Sequence, residues 1–84
     1  MKEIYVVTNV AVTEDDGLVL YSPKVFAQLE DAQEWVKDDY NTQMGEEDIK
    51  DCVEDFYLDD MEAQIQTPYR HEEWNIEKVE LNEV

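Results

Sequence analysis

The run Ile4-Tyr5-Val6-Val7-Thr8-Asn9-Val10-Ala11-Val12 constrains this chain more than any other segment. It is rich in β-branched and aromatic residues, so it reads as a strand. Its apolar residues fall on both parities, which places the strand centrally in its sheet. Glu14-Asp15-Asp16-Gly17 follows. Asp-Gly between two apolar runs marks a hairpin turn in which glycine takes a positive φ. Leu18 to Tyr21 then pairs back as a second strand, and Pro23 ends it because proline cannot donate to a ladder.

From Leu29 the period changes. Leu29, Ala32, Trp35, Val36 and Tyr40 recur at helical spacing, with Glu30, Asp31, Glu34, Lys37 and Asp38 on the other faces. Val25 and Phe26 stand ready to pack on the first turn of this helix. After a linker from Asn41 to Gly45, a second helix is expected from Glu46 to Asp60, with Ile49, Cys52, Val53, Phe56 and Tyr57 as its apolar stripe. Glu46, Glu47 and Asp48 suit the positive end of its dipole, whereas Asp59 and Asp60 sit at the unfavourable end. Residues 61–67 fit a strand by the alternation of Met61, Ala63 and Ile65, and a helix by composition; Pro68 terminates either. Trp74 to Leu81 is a final strand whose apolar parity shifts between Ile76 and Val79, the pattern of a bulge or an edge. The expected fold is one α+β domain over residues 1–84. It has an antiparallel sheet of three or four strands with two helices on one face, in the order β-β-α-α-(β)-β.

The chain carries 23 acids against six basic residues, a net charge of −17 over 84 residues. Disordered acidic chains lack aromatics, but two Trp, five Tyr and two Phe are present here, so the charge belongs to a folded domain. Such a surface argues against nucleic acid or an anionic membrane as partner and favours cations or a basic protein surface. The charge is also localised. Between Glu30 and Glu62 stand fourteen acids and two lysines, a balance of −12. On the expected second helix, Asp48, Asp51, Asp55, Asp59 and Glu62 recur at steps of three and four, with Glu47 and Glu54 in a flanking row. Like charges at those steps cost an isolated helix about 0.2–0.5 kcal/mol each, and only Lys50 relieves them. Solubility explains such a face adequately. Phosphate mimicry explains it too. Eight acids on a helix of about 22 Å give one per roughly 2.8 Å, against one charge per about 1.7 Å of duplex axis. The expected partner-binding set is Asp38, Asp39, Glu47, Asp48, Asp51, Glu54, Asp55, Asp59, Asp60 and Glu62.

A short chain with this acid density between Glu30 and Glu62 resembles the small inhibitors that phages and mobile elements direct against host defence, namely DNA-mimic anti-restriction and anti-CRISPR proteins. The resemblance rests on size and charge and brings no residue roles with it. It implies a non-enzymatic inhibitor or adaptor that binds a basic nucleic-acid-handling protein, such as a CRISPR-Cas or restriction component, and blocks its nucleic-acid site. The alternative is a small accessory domain that forms homodimers or higher oligomers, or that binds protein through its sheet edge near Trp74 to Leu81.

Other chemistries find little support. Glu14 to Gly17 lacks calcium-loop spacing, since the twelfth position counted from Asp15 is Phe26. His71 and Cys52 are single residues of their type without partners at metal-ligand spacing, so no metal and no cofactor is expected. Cys52 reads as a small buried hydrophobe and His71 as a turn residue beside acids. No phosphate-binding glycine loop exists with only Gly17 and Gly45. Trp35, Phe56 and Trp74 are expected in the core, and Tyr40, Tyr57 and Tyr69 at an interface. One cysteine and no secretory leader pattern point to the cytoplasm of a bacterial or host cell.

Overall fold

The first and last strands of the chain lie side by side. β1 (Lys2–Thr13) and β6 (Arg70–Leu81) pair antiparallel along their whole twelve-residue length, from Lys2 opposite Leu81 to Thr13 opposite Arg70. The computed structural model describes residues 2–81, apart from the side chains of Glu47 and Asp48. Around the central pair is a six-stranded antiparallel sheet in the order β2-β1-β6-β5-β4. β2 (Gly17–Leu20) and β3 (Lys24–Phe26) share the outer side of β1, against Val10–Thr13 and Tyr5–Val7 respectively. On the far side, β5 (Glu62–Gln66) pairs with β6, and β4 (Asp55–Leu58) pairs with β5.

One long helix, α1 (Leu29–Met44), crosses one face of this sheet, and α2 (Glu47–Lys50) is a single helical turn beside it. The α1 stripe buries Ala32, Val36 and Tyr40 against Val7, Trp74, Ile76, Ala63 and Ile65, with Ile49 of α2 closing the cluster. Trp74 is fully buried, and the ring of Tyr40 meets it edge-on at 5.9 Å. Phe26 packs on Trp35, one turn further along α1 than the sequence suggested, while Val25 stays exposed.

The β1–β2 hairpin forms at Gly17, which takes φ +69. The β5–β6 turn is built by Thr67. Its hydroxyl accepts from the N–H groups of Tyr69 and Arg70, and its own N–H donates to Arg70 O at 2.8 Å.

The expectation of two helices on a sheet of three or four strands is corrected. Helix survives only as Glu47–Lys50 in the segment from Glu46 to Asp60, which then turns and becomes β4. Two physical causes act together. Repeated like charges at helical spacing penalise the helix, and the contiguous Phe56-Tyr57-Leu58 favours a strand. Residues 62–66 settle as a strand, with Ala63 and Ile65 buried. β6 shows no bulge in its pairing with β1, and β5 flanks it only over His71–Asn75, so it is central there and an edge from Glu77 to Leu81. Its parity shift arises because Ile76 faces α1 while Val79, opposite Ile4, faces away.

Trp74 joins the sheet to the helix, so its truncation should be severe. Trp74→Ala is expected to cost about 3–5 kcal/mol, a large share of the about 5–15 kcal/mol that holds a typical domain together. Urea unfolding followed by far-ultraviolet circular dichroism measures it. A loss below about 1 kcal/mol would show that Trp74 does not anchor the core.

Candidate functional site

The acids expected on one helix face are redistributed by the fold. Asp38 is exposed on the outside of α1. Asp39 is half-buried, and its Oδ2 accepts a hydrogen bond of 2.8 Å from Trp74 Nε1, so it serves the core instead of the surface. The side chains of Glu47 and Asp48 lie outside the described residues. Asp51 is exposed in the turn after α2; Glu54 and Asp55 are exposed where β4 begins. Asp59 and Asp60 form the turn between β4 and β5, and Glu62 opens β5. No single row of carboxylates results.

Two surfaces replace that row. The first is the outer face of α1, where Glu30, Asp31, Glu34 and Asp38 are exposed. Gln33 Nε2 donates to Asp60 O at 3.0 Å, which draws the acidic β4–β5 turn against the same helix. Glu30 and Glu34 were absent from the expected set, although their spacing with Asp38, four residues apart each time, is a helical repeat legible in the sequence. The second surface is β4 itself, with Glu54 before it, Asp55 as its first residue, and Asp59 and Asp60 after it. Tyr57 registers the field there. Partial desolvation first, then the charges of Glu62, Glu73, Asp59 and Asp55, hold its hydroxyl above the ordinary value of 10.0.

Among the described residues there are three ion pairs: Arg70 with Glu72, His71 with Glu73, and Lys78 with Glu3. None involves an acid between Glu30 and Glu62. His71 lies on β6 and not in the turn, where it bridges Gln66 and Glu73.

A buried polar cluster lies between α1 and the sheet. Glu72 is 2% exposed and bonded by Arg70, lies beside the Asn9 amide, which donates to Glu73 O at 3.0 Å, and faces the charge of Asp39. Burial outweighs the Arg70 contact and raises the Glu72 carboxyl above its ordinary value of 4.5. A pocket of about 350 Å³ opens beside Glu72 and Asn9, walled by Trp35 and Asp39. A wider groove of about 700 Å³ adjoins it at Tyr21 and Gln43 and reaches Arg70. Glu72 and Asp39 already have protein partners, and the Asp39–Trp74 bond is the contact of the cluster that ties the helix to the sheet. Among the described residues no three His, Cys, Asp or Glu side chains stand close enough to hold a metal. No helix among them is long and apolar enough to cross a membrane.

Two aromatic expectations are corrected. Phe56 is exposed, because α1 does not reach over β4, and Tyr40 is buried against Trp74. Tyr57 and Tyr69 are exposed as expected. The sheet face away from α1 is uncovered. It carries Val12, Leu18, Leu20 and Val25, all exposed, with Leu20 at 70%.

No family model, curated protein or solved structure matches this chain.

The raised Glu72 carboxyl has a defined pH signature. The folded state holds that proton more tightly than the unfolded chain. Its stabilisation is therefore complete below about pH 4.5 and is lost as pH rises through the folded-state value. Glu72→Gln removes the titration and keeps the side-chain shape. Relative to this variant, the native protein should lose stability as pH climbs above 4.5. The repulsion among surface acids is common to both and cancels. A stability difference that stays flat between pH 4 and pH 7 would refute the assignment.

Proposed function

We propose that this chain is a non-catalytic acidic inhibitor or adaptor that occupies the basic surface of a nucleic-acid-handling protein. The observation that carries the reading is the unpaired state of its acids. Among the described residues, none of the acids between Glu30 and Glu62 has a basic partner, and most of those side chains are in water. Charges left without internal partners remain available to an external one, and they steer a basic partner from a distance.

The α1 surface fits such a partner better than the expected second helix did. Glu30, Asp31, Glu34 and Asp38 spread four carboxylates over about 12 Å. The mean interval is roughly 4 Å, comparable with about 3.4 Å between phosphates along a single DNA strand. Lys37 is the one cation in that stretch. A CRISPR-Cas or restriction nuclease with a Lys/Arg groove is the class of partner this spacing suits.

A second reading, self-association, is favoured by the uncovered apolar strip of Val12, Leu18, Leu20 and Val25. Light scattering separates it, because a dimer abolished by Leu18→Thr with Leu20→Thr would support the strip as a homodimer face.

The first reading makes a quantitative prediction. Displacement of labelled duplex from a panel of such nucleases should weaken on the order of tenfold or more between 50 and 200 mM salt. The variant Glu34→Lys, Asp38→Lys, Asp60→Lys should abolish it. None of these three side chains makes a hydrogen bond among the described residues, so cooperative unfolding should persist. Displacement that is unchanged in the triple variant would remove the proposal.

A further inference from the structure

β4 is an outer strand with no described neighbour beyond it. Asp59 N–H donates to Glu62 O at 2.7 Å. Antiparallel alternation then turns the main-chain groups of Tyr57 toward β5 and those of Phe56 and Leu58 outward. The side chains are equally bare: Phe56 is 57% exposed, Tyr57 40% and Leu58 41%. Proteins ordinarily blunt such an edge with proline, lysine or a break in the strand. The opposite edge follows that practice, since β2 and β3 are interrupted at Tyr21 to Pro23. No proline and no lysine occurs between Glu54 and Glu62.

What β4 has instead is charge of one sign at both ends. Glu54-Asp55 precede the apolar triplet and Asp59-Asp60 follow it. This arrangement decides against a second copy. Antiparallel self-pairing centred on Tyr57 sets Asp55 opposite Asp59, and Glu54 opposite Asp60, of the second copy. A slip of one residue sets Glu54 opposite Asp59 or Asp55 opposite Asp60. Parallel pairing in register sets every acid against itself. Like charges directly opposite destabilise a sheet pair. The same ends attract a strand of the opposite pattern.

We propose that β4 is a docking edge for an extended segment of another protein, with an apolar, β-branched centre flanked by lysine or arginine, which adds to the sheet as a seventh strand. The outward groups of Phe56 and Leu58 supply the main-chain hydrogen bonds. Phe56 and Leu58 on one side, and Tyr57 on the other, supply apolar contact. The acids at both ends set the register and exclude acidic strands. This inference rests on the reading that the partner is basic, and it names β4 as the sheet edge that binds in place of the Glu77–Leu81 half of β6, which β5 leaves uncovered but which carries Lys78.

The test uses the whole protein, isotope-labelled, with two peptides of equal charge, KKVTVTVKK and KKVTPTVKK. The first can pair as a strand. The second has a proline at its centre that removes a donor and breaks the strand. The first peptide should bind and slow amide exchange at Phe56 and Leu58. The second should bind about tenfold or more weakly, the equivalent of one or two lost hydrogen bonds. Equal binding of both peptides, without protection at Phe56 and Leu58, would overturn the docking edge and leave the charge-driven reading standing. Failure of both to bind at low salt would overturn the two together. Protection at Leu18 to Leu20 would move the edge to β2 and sink the assignment to β4. An unliganded dimer with Phe56 and Leu58 already protected would overturn it in favour of a second copy. The blocked partner in this design is the peptide, so the folding of the protein is not at issue.

Discussion

The structure depends on the pairing of β1 with β6, the two ends of the chain. Twelve residues on each side are matched without a break. Every other strand hangs from this ladder, β2 and β3 beyond β1, β5 and β4 beyond β6. The pair also sets the long dimension of a molecule measuring 50 × 23 × 15 Å. A helix of sixteen residues reaches only about 24 Å, well short of about 40 Å for the paired strands. The layer above the sheet is therefore incomplete. Sideways, α1 packs on β1, β3, β5 and β6 and stops short of β4, which stays bare.

The ladder also explains how so acidic a chain keeps a core. The acids concentrate where water reaches them: the outer face of α1, the turns, and the ends of β4. One acid goes inside. Glu72 is held by Arg70 beneath the helix, and Asp39 is tied to Trp74. Of these contacts Asp39–Trp74 is the one that joins α1 to the sheet, a directional bond that apolar packing alone would not specify. Among the described residues the acids between Glu30 and Glu62 have no basic partner, which costs stability at low salt and leaves that surface open to the cationic partner proposed for it.

Some of this was legible from residues alone. Asp16-Gly17 marked the hairpin, and the positive φ of Gly17 is the reason. Ala32, Val36 and Tyr40 lie on the buried stripe that their spacing implied. The central place of β1 followed from apolar residues on both its faces. The stretch from Glu46 to Asp60 misled, because Ile49, Cys52, Val53 and Phe56 fit a helix as readily as a turn followed by a strand. For apolar runs that short, periodicity does not separate the two. The candidate site moved for the same reason. The helical row of acids dissolved, and Glu30 and Glu34, which carried a sound helical repeat, emerged in its place.

The sequence by itself determined the sign and amount of the surface charge, the first hairpin and the long helix, because each depends on residues close together in the chain. The tertiary structure alone decided which strands are central and which are edges. That choice turns on which distant segment each strand meets. β6 reads as a bulge or an edge by its own pattern; it is central over His71–Asn75, where β1 and β5 flank it, and remains an edge beyond. β4 reads as helix and becomes the open edge because β5 offers it a ladder that its crowded carboxylates could not find in a helix.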